Sequence, residues 1–183
     1  KKVIEQLKRL DDDVEQVLYY VRSENAEKDY LIKEVNLNKV VSNVALRNKD
    51  ILLENKIDLI VDLKNTKVLT DSKWLEFIIN QIISNSIKYK KNKDSIIEIT
   101  GEDFDSFVTI TIYDNGKGIS SSDLPRVFNK TFTGNNGRLT SSSSTGMGLY
   151  LCKELCKKLG HKIEIDSKYG GYTKVIITIY KKD

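Results

Sequence analysis

One short turn restricts what this chain can fold into more than any other feature. Asp114-Asn115-Gly116-Lys117-Gly118-Ile119 follows directly on Phe107–Tyr113, whose alternation predicts a strand. An aspartate at a strand end followed by two glycines suits a loop that something must approach closely. Alone the turn says little, because aspartate and glycine also make ordinary turns. Two partners change its meaning. Upstream stands Gln81-Ile82-Ile83-Ser84-Asn85-Ser86-Ile87-Lys88-Tyr89, and downstream Ser144-Thr145-Gly146-Met147-Gly148-Leu149. Three such elements in this order, each at the end of a regular element, describe the walls of one pocket.

The rest of the chain supplies the frame. Val3, Leu7, Leu10, Val14, Val17 and Val21 alternate in steps of four and three, the a/d pattern of a helix in a coiled coil or bundle. One helix cannot bury such a stripe, so the pattern predicts a partner helix. The run opens at Lys1 without a capping residue, which predicts that the helix continues upstream. Val35-Asn36-Leu37-Asn38 breaks the pattern and reads as a boundary. A helix is expected over Leu37–Glu54, then strands at Ile57–Leu63 and Val68–Leu69. Asp71 or Ser72 can cap a second helix through Trp74, Phe77, Ile78, Ile82 and Ile83 to Tyr89. Ile96–Thr100 and Phe107–Tyr113 read as paired strands around an Asp103–Ser106 turn. Gly134–Ser144 is a Gly/Asn/Ser-rich loop expected to be mobile. Thr145–Leu159 is expected to be helical, and Lys162–Asp166 and Lys174–Tyr180 to close a sheet around the Gly170-Gly171 turn. This order predicts an α+β chain, a layered α/β sandwich on a largely antiparallel or mixed sheet.

Composition narrows the functions. Of 183 residues, 31% are charged and 39% apolar, the balance of a globular domain, and runs such as Val175-Ile176-Ile177 are strand-sized, too short to cross a bilayer. A net charge of +4 suits a phosphate ligand but is too small and dispersed for nucleic acid. Cys152 and Cys156 sit among leucines one helical turn apart, as reduced core cysteines, and a C-x3-C pair without further ligands is a poor metal site. His161, the single histidine, follows Gly160 and reads as a turn residue without a catalytic partner.

Gln81, Asn85 and Lys88 recur at i, i+4 and i+7, so they share one helix face opposite an isoleucine-rich one. Such a polar face is also what any half-buried helix shows to water. Amide oxygens are nevertheless hard neutral ligands suited to Mg²⁺, which shares its coordination with waters and phosphates, and Lys88 can reach a phosphate as a point charge. Asp114 can accept a hydrogen bond from an exocyclic amine such as adenine N6, Gly116 and Gly118 let a planar base slide against the loop, and Ile119 supplies an apolar wall. Gly146 and Gly148 open a helix whose first-turn N–H groups can cradle a polyphosphate, with the preceding loop as a lid. Lys130 and Arg138 are candidate phosphate contacts, with ordinary surface charge an equal alternative.

These residues resemble the ATP-binding catalytic domain of bacterial sensor histidine kinases, within the superfamily shared with DNA gyrase, heat-shock chaperones and mismatch-repair ATPases. Gln81–Tyr89 is similar to the family's N box, Asp114–Ile119 to its G1 box, Leu124-Pro125-Arg126-Val127-Phe128-Asn129-Lys130-Thr131-Phe132 to its F box, and Thr145–Leu149 to its G2 box. The resemblance covers roughly Val35 to Tyr180. It implies a two-layer, Bergerat-type α/β sandwich with a mixed sheet over residues 35–183. Residues 1–34 would then be the remnant of a dimerisation and histidine-phosphotransfer helix. It implies ATP and Mg²⁺ as ligands, with Asn85 and Gln81 toward the metal, Asn85 and Lys88 as catalytic residues, and Asp114 on the adenine. Tyr89, Gly116, Gly118, Ile119, Lys130, Arg138, Thr145, Gly146, Met147, Gly148, Leu149 and Thr173 complete the implied ATP contacts. A response regulator as partner, a homodimer through the missing hairpin, and a membrane-anchored parent with this segment on the cytoplasmic side are also implied. Phe132-Thr133-Gly134-Asn135-Asn136-Gly137-Arg138 and Gly146-Met147-Gly148-Leu149-Tyr150-Leu151 resemble the subgroup that partners antimicrobial-peptide transporters, such as bacitracin sensors.

The chain departs from a whole kinase of this family in lacking a phosphoacceptor histidine followed by an acidic residue. Gln81 stands where asparagine is frequent, and Ser143-Ser144 where the G2 box often has another glycine. In the ATP-hydrolysing relatives the place of Gln81 is a glutamate that orients or deprotonates water. An amide has no useful basicity, so phosphoryl transfer to a protein is favoured over ATP hydrolysis. The alternative is an anti-sigma-type serine kinase or a nucleotide-gated binding module.

Overall fold

The computed structural model describes residues 15, 18, 19, 22, 23, 30–130 and 147–182. Among the described residues, 15, 18, 19, 22 and 23 are helical, and from residue 30 onward seven strands and four α-helices follow as β1 (Lys33–Asn36), α1 (Leu37–Arg47), α2 (Lys49–Glu54), β2 (Ile57–Asp62), β3 (Lys67–Thr70), α3 (Ser72–Lys88), β4 (Ser95–Asp103), β5 (Phe107–Asp114), α4 (Gly148–Leu159), β6 (His161–Lys168) and β7 (Tyr172–Tyr180). A 3-10 turn at Leu124–Arg126 lies between β5 and α4.

Five strands form the main sheet in the order β2-β4-β5-β7-β6, and β1 pairs with β3 in a separate two-stranded sheet. The β2–β4 pair is parallel and the other pairs are antiparallel, so the main sheet is mixed, as the element order implies. Alternation decides which face is covered. Ile97, Ile99, Ile110, Ile112, Val175, Ile177 and Ile163 are buried under the helices, while Glu98, Thr109 and Thr111 between them are half-buried on the outer face. Leu75, Ile78, Ile79, Ile82 and Ile83 of α3, with Leu151, Cys152, Leu155 and Cys156 of α4, complete the core. Burial of each such large side chain contributes about 1.5–3 kcal/mol. The cysteines are therefore core residues, as expected.

Two expectations need correction. The helix expected over Leu37–Glu54 is interrupted at Asn48. The Asn48 side-chain amide donates to the Val44 carbonyl at 2.9 Å, beside the Asn48 backbone N–H at 3.2 Å, and to Asn80 Oδ1 at 2.7 Å. His161 is not a turn residue. It opens β6, is buried, and its Nε2 lies 2.8 Å from Thr70 Oγ1 at the end of β3. That bond ties the edge of the main sheet to the small sheet. Burial lowers the imidazole pKa to about 4, a bond with the Gly160 backbone opposing part of the shift.

β1 spans the position at which the sequence suggests a boundary, and Asn36 caps α1 by accepting from Asn38 N at 2.9 Å. Asp71 caps α3, its Oδ1 accepting from Lys73 N and Trp74 N and its Oδ2 from Leu31 N at 2.8 Å. The heptad positions Val3 to Val21 lie outside the described residues. Tyr19, which is described, packs its ring 5.1 Å from Trp74 and 4.3 Å from Phe77.

Candidate functional site

Two elements build the site: the last turns of α3 and the loop leaving β5. Asp71 fixes where α3 starts, and its isoleucine stripe fixes how it rotates, so Gln81, Asn85 and Lys88 fall together on its partly exposed side. Tyr89 ends the helix, with the Lys88 ammonium 5.8 Å from its ring centre.

Asp114 is the last residue of β5 and points to the helix-covered side, 8% exposed. Its Oδ2 accepts from Ser86 Oγ at 2.7 Å and its Oδ1 from the Gly116 amide at 2.9 Å. Burial raises the carboxyl pKa, and these two bonds pull it back toward the ionised form. Each oxygen keeps a lone pair for a further donor.

The glycine loop is pinned by its own backbone. The Lys117 amide donates to the Tyr89 carbonyl at 2.9 Å, and the Gly170 amide to the Lys117 carbonyl at 2.6 Å. A Cβ at Gly116 would stand 2.7 Å from both Asp114 Oδ1 and the Tyr89 carbonyl oxygen. Gly118 has φ +70°, and a Cβ there would collide with the Lys168 carbonyl. The Ile119 amide donates to Ser167 Oγ at 2.8 Å. Thr173 faces Asp114 across the β5–β7 pair, with its hydroxyl 3.0 Å from Ser167 Oγ. Asp114, Gly116, Gly118, Ile119, Tyr89 and Thr173 are thus tied together by hydrogen bonds and strand pairing as a candidate floor.

On the far side, Gly148 and Leu149 begin α4, and Met147 caps it with its carbonyl accepting from Leu151 N at 2.9 Å. Lys130 is exposed beside Tyr150, its ammonium 5.9 Å from the ring centre, and Lys153 lies 4.8 Å from the ring of Phe128. Phe128 and Lys130, from the described part of the F-box segment, therefore lie against α4. Arg138, Thr145, Gly146 and the Gly134–Ser144 loop lie outside the described residues.

Two residues of this site escape the sequence reading as site residues, Ser86 and Ser167. Ser86 leaves a trace. It falls on the stripe of Ile79, Ile82 and Ile83, where a hydroxyl must find a buried partner. Ser167 ends the inward series Ile163, Ile165, Ser167 and shows no comparable signal.

A cavity of about 430 Å³ opens elsewhere, between the start of β2 and the α3–β4 connection. Its lining mixes Lys56, Lys90 and Lys93 with Glu54, Asp58 and Asp94, and contains none of the residues above. Among the described residues no group of three or more His, Cys, Asp or Glu could hold a metal, and no helix is long and apolar enough to cross a membrane.

Comparison with known proteins follows the same lines. The family model described as "Histidine kinase-, DNA gyrase B-, and HSP90-like ATPase" matches residues 70–183. The chain is 33% identical over 184 residues to the sensor histidine kinase GraS of Staphylococcus haemolyticus, covering 100% of this chain and 53% of that protein. It is 32% identical over 185 residues to the sensor histidine kinase YxdK of Bacillus subtilis, covering 98% and 57%. The chain spans about half the length of the curated relatives it matches. Among solved structures, the Acinetobacter baumannii histidine kinase AdeS matches with TM-score 0.79 at 22% identity, over 100% of this chain and 84% of that one. Histidine kinase ThkA, in complex with the response regulator protein TrrA, matches with TM-score 0.74 at 22% identity, over 98% and 49%. The buried strand-end carboxylate, the pinned glycine loop and these matches together assign the chain to the histidine kinase-, DNA gyrase B-, and HSP90-like ATPase family, as an ATP-binding domain of the sensor histidine kinase type.

Proposed function

We propose that this chain binds ATP with Mg²⁺ and transfers the γ-phosphoryl group to a histidine outside these residues, for relay to a response regulator. The observation that carries this reading is the buried Asp114 carboxylate, held by Ser86 and Gly116 with lone pairs left over, at the floor of the glycine loop. Such a group selects an amino-bearing base. Gly116 and Gly118 leave room for the ring, Ile119 and Tyr89 flank it, and Thr173 sits beside the carboxylate.

The phosphates would then run toward α3 and the start of α4. Lys88 meets them as a compact charge, and the first-turn amides at Gly148 and Leu149 offer N–H groups to oxygen. Lys130 and Arg138 are proposed phosphate contacts, and Thr145, Gly146 and Met147 part of the same cradle. Asn85 and Gln81 present neutral amide oxygens one turn apart, the hard donor type that Mg²⁺ takes beside waters and phosphates, and the ion would neutralise phosphate charge there. Gln81 cannot remove a proton from water, so the donor is kept for an incoming imidazole that attacks in line. His161 is not that imidazole, since it is buried against Thr70, away from the floor.

Residues 1–34 are proposed as the helix leading in from a dimerisation and phosphotransfer hairpin, and residues 35–183 as the catalytic domain. The parent would be a membrane-anchored homodimer whose partner is a response regulator. Labelled ATP supplied together with the histidine-bearing hairpin helix tests the reading. Acid-labile, base-stable label on that helix is expected. Stable phosphoserine on another protein, or label at His161, would overturn it.

A further inference from the structure

Ser167 Oγ lies 2.7 Å from the Tyr172 carbonyl oxygen, 2.8 Å from the Ile119 amide nitrogen and 3.0 Å from Thr173 Oγ1. A serine hydroxyl has one proton to give and two lone pairs to receive with. The Tyr172 carbonyl only accepts, so the single proton goes there. The Ile119 N–H only donates, and occupies one lone pair. The contact with Thr173 can then be a hydrogen bond only if Thr173 supplies the proton. With the opposite assignment, Ser167 and the Tyr172 carbonyl would face each other at 2.7 Å with no hydrogen between them.

Thr173 Oγ1 is thereby left with lone pairs alone for anything above the sheet. Thr173 is the cross-strand partner of Asp114, whose two oxygens already accept from Ser86 and Gly116. These two neighbouring side chains offer a ligand two acceptors and no donor. A purine amino group has two protons to meet them, whereas a 6-oxo group brings a third set of lone pairs.

We propose that Ser167 is a positioning residue for base selectivity: by holding the Thr173 proton away from the pocket, it makes the floor accept a 6-amino purine and reject a 6-oxo purine. This rests on the nucleotide reading above and deepens it. Ser167 touches no nucleotide. It acts through Thr173, and the Ile119 bond separately steadies the loop.

The test is calorimetric titration of the whole chain with Mg·ADP and Mg·IDP, in the original sequence and in Ser167→Ala, Thr173→Val and the double variant. The original chain is expected to prefer ADP. In Ser167→Ala the Thr173 hydroxyl can turn and donate to the 6-oxo group, so the ADP-to-IDP preference falls by roughly tenfold. Loosening of the Ile119 loop would weaken both ligands alike and leave their ratio untouched. Thr173→Val lowers the preference as well, and adding Ser167→Ala to it changes the ratio no further, because the hydroxyl through which Ser167 acts is gone. A preference unchanged in Ser167→Ala while ADP still binds the original chain overturns the inference and leaves the nucleotide site standing. So does a further fall of the ratio in the double variant. Binding of neither nucleotide by the folded original chain overturns the function proposed above, and this inference with it.

Discussion

Acidification should weaken the fold through one side chain, His161. Its pKa falls from 6.5 to about 4 because the ring is buried, 9% exposed, an effect the bond with the Gly160 backbone only partly offsets. A depressed histidine pKa means that the unfolded chain takes up a proton the folded chain refuses. Its contribution to stability is thus whole above pH 6.5 and is lost as pH falls toward 4. At 1.36 kcal/mol for each pH unit, the full loss is about 3 kcal/mol, of which about 2 kcal/mol is gone by pH 5. For a domain whose stability is typically about 5–15 kcal/mol, that is a large fraction. Urea unfolding of the original chain and of His161→Gln, measured side by side from pH 7.5 to 4.5, isolates the effect. Glutamine can keep a bond to Thr70 but does not titrate, so carboxylates that titrate in both proteins cancel. The two stability curves should converge or cross as pH falls. Because the chain has one histidine, proton NMR adds a direct reading, an imidazole signal that barely moves between pH 7.5 and 5.5. Parallel stability curves, or an imidazole midpoint near 6.5, would refute the argument.

Three more outcomes can be measured. Asp114→Asn should weaken adenine nucleotide binding by about 1–3 kcal/mol, since one acceptor oxygen becomes a donor, and unchanged affinity by calorimetry would remove Asp114 from its proposed role. Ser86→Ala deletes a bond that lowers the Asp114 pKa, so nucleotide affinity should begin to fall at a higher pH on acidification than in the original chain. A pH profile that superposes on the original would count against it. Gly118→Ala should cost about 1–3 kcal/mol of stability in thermal unfolding, from positive φ and the collision with the Lys168 carbonyl; an unshifted transition would contradict the pinned loop.

How far the sequence could be read follows from which interactions are local. The isoleucine stripe of α3 and the Asp71 cap depend on neighbours within a few residues, and both were legible. The alternation of β4 and β5 was equally plain, as was the strand-end place of Asp114. What escaped depends on distant residues. Asn48 ends α1 partly through Asn80, 32 positions away, and nothing near Asn48 announces that bond. His161 looked like a turn residue because Gly160 precedes it, yet its surroundings are set by Thr70, 91 positions earlier. Ser167 reaches Ile119 across 48 positions, so its part in holding the glycine loop could not be read from spacing.

The interleaving of the two sheets limits how this chain can be dissected. Reading forward, β1 belongs to the small sheet, β2 to the large one, β3 to the small one again, and β4 to the large. A cut between β2 and β3 would leave β1 and β2, one strand of each sheet, on the first fragment, and β3 with the other four strands of the main sheet on the second. Each piece would carry raw hydrogen-bonding edges, and the first would lose the apolar layer of α3 and α4. Trimming this protein to a minimal piece therefore leaves little freedom between Lys33 and Tyr180, and a cut at Lys33 itself removes the Leu31 bond to Asp71 and the Tyr19 ring from Trp74 and Phe77.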